Sequence, residues 1–240
     1  MADPEAPRKL RADAVRNSER ILHAARAAFV ERGAGVPLDE IARRARVGIG
    51  TLYRRFPDRG ALMRAVVLDA LTHTRDVAQS ALAEEATGFD ALVRYMHAVL
   101  DVQVSAVIPV LLDEINLDDD KIGPARDASA QAVERILDAA HADGSLPDAI
   151  TFGDIGTVLV RLSRPLPGPI TPALNKQLAH RHLDLLIEGL RPSSSGAESV
   201  GGPALSRQDL REILAKSGRG KTDVGEGVAE LGEHVADKGK

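Results

Sequence analysis

The chain has 240 residues, a formal net charge of −4, no cysteine and only 2% aromatic residues. The absence of cysteine excludes a disulfide framework and any thiolate metal site. No apolar run approaches the roughly 20 residues of a membrane-spanning helix, and residues 1–10 lack the apolar stretch of a signal peptide. We therefore expect a cytoplasmic protein that does not associate with membranes.

The charge is distributed unevenly along the chain. Residues 1–64 contain fourteen Lys and Arg against eight Asp and Glu, a balance of +6 that leaves −10 for the remainder. Basic charge concentrated at one end is typical of a nucleic-acid-binding module, because phosphate contacts require it. The alternative is a chance cluster of solvated arginines.

Residues 1–16 are predicted to form a basic N-terminal arm, which either touches phosphates or stays disordered. The first helix is expected to begin at Asn17 or Ser18, because either residue can cap it, and to end at Gly33. Its apolar residues fall on one side and should pack beneath the next unit; they include Leu22, Ala25 and Phe29.

Residues 36–56 predict two short helices joined by a tight turn. Apolar residues recur at helical spacing on both sides of a break at Arg46-Val47-Gly48. Pro37 can occupy the first position of the first helix, and Gly48 can cap the second. Two such helices form a helix-turn-helix unit. The residues expected to face the core are Leu38, Ile41, Ala42, Ala45, Leu52 and Phe56.

The second of these helices predicts a DNA-reading surface. When Leu52 faces inward, Thr51, Arg54 and Arg55 face outward, and Tyr53 lies at the edge of that face. A hydroxyl, a phenol and two guanidiniums on one short exposed face suit a DNA groove better than an active site.

This region resembles the DNA-binding domain of TetR-type transcriptional repressors, over about Ser18 to Val67. The resemblance rests on Ile21-Leu22-His23-Ala24-Ala25, Phe29, Gly33, Ile41-Ala42, the run from Ala45 to Phe56, Arg59 and Leu62. It implies that Tyr53 contacts a phosphate and that Thr51 and Arg54 lie near base edges or backbone. The DNA-binding residues expected from it are Pro37, Arg46, Gly48, Ile49, Gly50, Thr51, Tyr53, Arg54, Arg55 and Arg59.

Four residues depart from the family pattern. Arg46 stands where the family usually has Gly, at a helix end that favours positive φ, and should cost on the order of 1 kcal/mol there. A different local turn, or a phosphate bound by the guanidinium, would offset that cost. Gly48 replaces the usual Ser, Arg55 the usual His and Arg59 the usual Lys, and these changes bear on the operator sequence.

Further helices are predicted beyond this unit. Asp58 should cap a long helix to about Glu85, followed by a helix over residues 89–107, a break at Pro109 and a short helix to Ile115. Later helices are expected from about Pro124 to Asp143, over residues 152–164 and from Thr171 to Leu190. The predicted organisation is all-α: a helix-turn-helix domain over residues 17–67, a larger helical bundle over residues 68–191, and a linker with a weakly helical, mobile tail over residues 192–240.

The resemblance implies that the C-terminal bundle dimerises and holds a small-molecule effector. Arg161 interrupts an apolar run, so it either binds a polar or anionic effector, pairs with an acid such as Glu114, or reaches solvent. The other candidate pocket residues could equally be ordinary core. The full candidate set is Tyr95, Met96, Val99, Leu112, Phe152, Leu159, Arg161 and Leu162.

The helix from Thr171 to Leu190 carries two opposed apolar faces. One face, formed by Ala179, Leu183, Leu186, Ile187 and Leu190, should cover its own core. The second implies burial against a symmetric partner, although another helix of the same chain could cover it. The predicted dimer interface comprises Leu174, Leu178, Arg181, His182 and Leu185.

No other chemistry is predicted. Asp118-Asp119-Asp120 lacks the spacing of a Ca²⁺ loop and fits a solvated loop. His180 and His182 lie about 200° apart on a helix, so they cannot grip one metal ion. Because no nucleophile–base or metal constellation exists, we expect neither an enzyme nor a cofactor.

The sequence therefore favours a homodimeric transcriptional regulator, most simply an effector-released repressor on palindromic DNA. The alternative is a helical binding or adaptor protein in which the helix-turn-helix is only structural.

Overall fold

The computed structural model describes residues 6–191 and 205–217, and within them it contains ten α-helices and no strand. The prediction of an all-α fold is confirmed. The helices are α1 (Ala6–Arg32), α2 (Leu38–Arg44), α3 (Ile49–Arg55), α4 (Arg59–Glu84), α5 (Gly88–Asp101), α6 (Val104–Leu111), α7 (Ile122–Ala142), α8 (Phe152–Leu162), α9 (Pro172–Leu190) and α10 (Arg207–Ser217). The predicted linker, residues 192–203, lies outside the described residues, as do residue 204 and the chain after residue 217.

The first helix begins much earlier than predicted. It starts at Ala6 and not at Asn17, so most of the predicted basic arm is the first part of α1. The physical reason is that residues 8–16 are good helix formers with no glycine or proline among them. Asn17, expected as a cap, lies inside the helix. The predicted end is confirmed, because α1 stops at Arg32 and Gly33 has φ +82°.

Helix α4 connects the helix-turn-helix to the rest of the chain. The Asp58 side chain accepts a hydrogen bond of 2.6 Å from the backbone N–H of Ala61, which confirms the predicted cap. Over its 26 residues α4 packs against α1 and also against α5, α6 and α7. One continuous helix is therefore shared by the two parts of the fold.

The break after α5 was predicted at the wrong residue. The helix ends at Asp101, Gln103 takes the left-handed conformation with φ +52°, and Pro109 lies inside α6. A tertiary contact stabilises this break, because a guanidinium N–H of Arg26 donates to the Val102 carbonyl at 3.3 Å. That carbonyl would otherwise accept a bond from the next turn of a continuous helix.

Helices α5 and α7 approach each other closely at Gly88. The Gly88 backbone N–H donates to an Asp143 carboxylate oxygen at 2.7 Å, and the Phe89 N–H donates to the Ser145 hydroxyl at 3.2 Å. A Cβ at Gly88 would lie 2.1 Å from the backbone nitrogen of Ala140, so only glycine fits this crossing. The predicted end of α7 at Asp143-Gly144 is confirmed.

Helix α10, which belongs to the predicted weakly helical tail, contacts α7 and α8. The Leu205 carbonyl accepts hydrogen bonds from the Gly153 N–H at 2.9 Å and from the Thr151 hydroxyl at 3.1 Å. Arg207 pairs with Glu134 at 2.9 Å and Asp127 at 3.1 Å on α7. The weak helical pattern of the tail gave no signal for these polar contacts.

A buried ionic group lies where α1, α4 and the α5–α6 break meet. Arg26, buried in α1, pairs with Asp69 of α4. His73 lies one turn further along α4, and its Nε2 is buried without a hydrogen-bond partner among the described residues. Burial, together with the positive charge of Arg26, lowers the pKa of His73, although Asp69 and Asp76 oppose the shift.

This environment predicts acid sensitivity at His73. The folded state keeps the imidazole neutral below the ordinary histidine pKa of about 6.5, whereas the unfolded state takes up a proton there. Stability should therefore fall as the pH decreases below about 6.5. Urea unfolding midpoints at pH 7.5 and 5.5 should differ less in His73→Gln than in the wild type. His23→Gln, at an exposed position of α1, is the matched control. Equal pH dependence in all three proteins would contradict the assignment.

Candidate nucleic-acid interface

The turn between α2 and α3 has a defined hydrogen-bond pattern. The Val47 N–H donates to the Ala42 carbonyl at 3.0 Å, and the Arg46 N–H donates to the Arg43 carbonyl at 3.1 Å. These two bonds are those of a Schellman motif, in which the residue after the C-cap is left-handed. The turn therefore fixes the direction in which α3 leaves α2.

Arg46 is the left-handed residue of that motif, with φ +55°. The turn thus keeps the geometry that favours glycine, and an arginine adopts it at a cost on the order of 1 kcal/mol. Arg20 of α1 donates to the Arg46 carbonyl at 3.0 Å, which helps to hold the strained residue. Arg20 was not among the predicted residues, because nothing local relates two residues 26 positions apart.

Helix α3 is buried on one side and exposed to solvent on the other. Leu52 is fully buried and Phe56 is 7% exposed, as predicted. Tyr53 is 49% exposed, and Arg54 and Arg55 are exposed on the same short helix. The predicted inward face of α3 and the outward position of Arg54 and Arg55 are therefore confirmed, whereas Thr51 is half-buried.

Two of the predicted reading residues touch each other on the exposed face. The Arg54 guanidinium donates to the Gly50 carbonyl at 3.2 Å and to the Thr51 hydroxyl at 3.4 Å. This holds the long side chain over α3, so less rotamer freedom would be lost on binding. Gly48 is the N-cap of α3, as predicted, and Gly48, Ile49 and Gly50 are exposed at its start.

Two other predicted DNA-binding residues have structural partners or a different position. The Arg59 guanidinium donates to the carbonyls of Ala34 at 2.8 Å and Val36 at 2.7 Å, so it fastens the loop between α1 and α2. Pro37 is the N-cap of α2, one residue before the predicted position, and is exposed. The observed contacts of Arg59 favour a positioning role.

Ion pairs fasten α2 to α1. Arg44 pairs with Glu31 at 2.6 Å and with Glu40 at 2.9 Å, and Arg32 also pairs with Glu40. The hydrogen bond from Arg32 lowers the pKa of Glu40, with Arg44 adding to the shift against its partial desolvation. Arg46, Arg54 and Arg55 have no carboxylate partner within the described ranges. These guanidiniums remain available for an anionic partner. Arg43 was not among the predicted residues, but it is also exposed on α2.

The predicted effector residues do not gather in one cavity. Tyr95, Met96, Val99 and Leu159 are buried core, and burial raises the pKa of the Tyr95 phenol. Arg161 is exposed and Leu162 is half-buried. Only Leu112 and Phe152 line the cavity of about 600 Å³ found in the C-terminal part, which lies between the start of α7, the start of α8 and α10.

The outer face of α9 is exposed in the single chain. Leu174 is 45% and Leu185 is 63% exposed, Leu178 is half-buried, and Arg181 and His182 are exposed. Leu186 was predicted to face the core but is 42% exposed, so it belongs to this outer surface. No helix among the described residues covers the stripe fully. Leu183 and Ile187 occupy the inner face, as predicted.

The histidines and aspartates that were considered as metal ligands have other partners. His180 contacts His97 through their Nδ1 atoms at 2.8 Å, not His182. Asp118 pairs with Arg126 at 3.1 Å, and an Asp119 carboxylate oxygen accepts from the Lys121 N–H at 3.0 Å. No group of three or more potential ligands occurs in the described part of the chain.

No single helix of the described residues has the length and apolar composition needed to cross a membrane. By those criteria alone one bent pair qualifies, Gly88–Asp101 with Ser105–Leu111, at an angle of 54°.

Comparison with known proteins points in one direction. A family model described as bacterial regulatory proteins of the tetR family matches residues 21–66. No curated protein matches the chain. Among solved structures, a TetR transcriptional regulator from Streptomyces coelicolor is 31% identical, with a TM-score of 0.54, over 74% of this chain and 99% of that one.

Two further solved structures are similar. A TetR transcription regulatory protein from Mycobacterium vanbaalenii is 31% identical, with a TM-score of 0.53, over 76% of this chain and 99% of its own. The TetR-like regulator LfrR from Mycobacterium smegmatis, in complex with proflavine, is 20% identical over 70% of this chain and 94% of its own. Its TM-score of 0.52 supports the fold alone.

Proposed function

Because this chain belongs to the TetR family of bacterial transcriptional regulators, we propose that it is a homodimeric repressor released from DNA by an effector. In this proposal α3 binds a palindromic operator, and a small molecule bound in the C-terminal part lowers the affinity for that operator. Regulation of transcription through the helix-turn-helix is the function of the family; repression, the palindrome and release are the proposed details.

The observation that carries the proposal is the exposed face of α3. Thr51, Tyr53 and Arg54 lie outward on a helix whose other side is anchored by Leu52. Arginine can read guanine edges in the major groove through two hydrogen bonds, and tyrosine and threonine donate to phosphates. We assign base reading to Arg54 and Thr51 and phosphate contact to Tyr53.

The proposal of a dimer rests on the apolar stripe of α9. An exposed row of leucines on a helix of an otherwise well-buried fold indicates a protein interface. Twofold pairing along this row would supply two α3 helices, which a palindrome requires, with half-sites about 34–36 Å or a further helical turn apart.

The proposed effector is a small, mainly apolar molecule with one polar or anionic group. A ligand can shift the regulator away from DNA only if it binds the form that does not fit DNA more tightly. The cavity beside Leu112 and Phe152 has a volume within the range of small-molecule sites, about 300–1,000 Å³.

Selection of bound sequences from random duplex DNA, followed by titration of the selected site, tests the DNA-binding function. The wild type should enrich a palindrome, and its affinity should fall steeply with salt because counterions are released. Arg54→Ala should cost about 1–3 kcal/mol and relax the preference at one base position. The Thr51/Tyr53/Arg54 triple alanine variant should lose sequence-specific binding.

Arg161→Ala is the control, because it removes one positive charge at an exposed position outside the helix-turn-helix. Circular dichroism establishes that each variant is folded. Unchanged affinity in a folded triple variant would refute the assignment, and failure of the wild type to enrich any sequence would favour an adaptor in which the helix-turn-helix is structural.

A further inference from the structure

The cavity in the C-terminal part is bounded partly by the helix that follows the predicted linker. Its walls come from residues 112–118, from the beginnings of α7 and α8, and from α10. Its apolar surface includes Leu112, Ile115, Phe152 and Leu210. Because Leu210 and Arg211 belong to α10, removal of this helix would open one wall of the cavity to solvent.

The α10 segment is held in place by polar contacts at its first residues. Thr151 and Gly153, at the N-terminus of α8, both donate to the Leu205 carbonyl. The backbones approach so closely that a Cβ at Gly153 would lie 2.2 Å from the Leu205 oxygen. Two carboxylates of α7, Asp127 and Glu134, hold Arg207.

Over residues 205–212, the part of the segment whose side chains the structure describes, few apolar contacts support this attachment. Leu205 and Leu210 are only half-buried, and Gln208, Asp209 and Arg211 are exposed. Partly exposed ion pairs contribute little to stability, and segments with few buried apolar contacts open locally at low free energy. The described contacts of the segment are thus concentrated at Leu205 and Arg207, and their loss would let it detach while the remaining helices keep their packing.

We propose that the segment from Leu205 to Ser217 is a lid that opens to admit an amphiphilic small molecule into this cavity and closes over it. The apolar body of the ligand lies against Leu112, Phe152 and Leu210. Its polar end reaches the charged side chains that also line the cavity, here called the charged rim. This rests on the proposed function, because the cavity is the one suggested there for the effector. The new element is that the lid, a segment of the chain itself, controls how fast the ligand enters and leaves the cavity.

The charged rim agrees with a ligand that has a polar end. Arg126 pairs with Asp118 and Arg207 with Asp127 and Glu134, so two of the three lining guanidiniums are already paired. The third, Arg211, lies on the lid itself and is exposed, as is Glu114, which also lines the cavity. Both can reorient toward a bound polar group without breaking a contact that closes the lid.

Two glycines of α8 provide a matched pair of variants. Gly153→Ala places a methyl group against the Leu205 backbone, which displaces the lid, whereas alanine is otherwise favourable in a helix. Gly156→Ala adds the same methyl group where nothing lies within 4 Å. A second variant, Arg207→Gln, weakens the attachment from the α7 side and does not alter α8.

Two measurements on the full chain test the lid, both without DNA. Trypsin should cleave after Arg207 and Arg211 faster in Gly153→Ala than in the wild type or Gly156→Ala. Stopped-flow fluorescence with 1-anilinonaphthalene-8-sulfonate should show association and dissociation rates about tenfold faster in Gly153→Ala, equivalent to about 1.4 kcal/mol of lid stability. Arg207→Gln should change both rates in the same direction, and Phe152→Ala should weaken dye binding.

Each alternative result overturns the lid. Unchanged trypsin cleavage in Gly153→Ala means that Leu205 is not held at α8, and faster cleavage with unchanged dye rates means that the segment does not control entry. Dye binding that is absent in the wild type, or insensitive to Phe152→Ala, removes the cavity as the site. Because no DNA is present, any of these results leaves the proposed DNA recognition intact, and loss of DNA recognition leaves the lid intact.

Discussion

Glutamate at both Leu178 and Leu185 should convert the protein into a folded monomer that binds its operator weakly. Leu185 is 63% exposed and Leu178 is half-buried, so a single chain tolerates both carboxylates. In a twofold interface the same substitutions would bury four unpaired charges, which is strongly unfavourable. Without pairing, each half-site is bound separately, and the loss of avidity should weaken binding by about 10²–10⁴-fold.

Sedimentation velocity and operator titration measure these two effects in the same samples. Gln177→Glu is the control, because it adds a carboxylate to an exposed polar position of the same helix. The control should sediment and bind as the wild type does. A double variant that still sediments as a dimer would place the interface on another surface. A monomeric variant with the affinity of the wild type would show that one helix-turn-helix unit is sufficient to bind the operator.

Gly88→Ala should reduce the free energy of unfolding by about 3 kcal/mol or more, the upper part of the range for overpacked cores. The added methyl group would lie 2.1 Å from the Ala140 nitrogen and 2.4 Å from its Cα, both backbone atoms of α7. A side chain could rotate away, but backbone cannot. The two helices must separate, which also lengthens the 2.7 Å hydrogen bond from Gly88 to Asp143.

Urea unfolding followed by circular dichroism gives the comparison with the wild type. Gly156→Ala serves as the control, since alanine there meets no atom within 4 Å and should be neutral or stabilising by up to about 1 kcal/mol. A Gly88→Ala variant as stable as this control would mean that the α5–α7 crossing is looser than the structure has it.

The helix-turn-helix could be predicted in detail because its determinants are local. The spacing of Ile41, Leu52 and Phe56 defines the buried side of two short helices, and that side fixes the outward position of Tyr53 and Arg54. The left-handed conformation of Arg46 was expected only from the family resemblance, which left a different local turn open; the observed hydrogen bonds and a φ of +55° show that the turn keeps the glycine-type geometry.

The break between α5 and α6 was not predictable in the same way. Pro109 is the strongest local helix breaker in that region, yet the chain turns at Gln103, where Arg26 binds the Val102 carbonyl from 76 positions away. The walls of the cavity depend on similar long-range contacts, because Leu205 contacts Gly153 across more than fifty residues. Periodicity identifies a buried face, but it does not tell which neighbour covers it.

Leu186 and Arg59 show the same limit for single residues. Leu186 has the helical phase of a core position but is 42% exposed, whereas Leu183 and Ile187 on the same helix are buried. Arg59 matches a family position expected near DNA; its Nη1 donates to two loop carbonyls, and a DNA contact through the rest of the guanidinium stays a prediction. The type of a residue and its position around the helix were sufficient to propose a role. The residues that contact it in the fold could not be read from the sequence.

The uninterrupted course of α4 gives the molecule a mechanical property. Its 26 residues span about 39 Å at 1.5 Å per residue, so a tilt of about 5° at one end displaces the other by about 3.4 Å. In a symmetric pair the two displacements would add to about 7 Å, a substantial fraction of the roughly 34 Å between half-sites. The helix would act as a rigid lever. A small change at the cavity, without any unfolding, would then move the two helix-turn-helix units away from the spacing of the DNA half-sites.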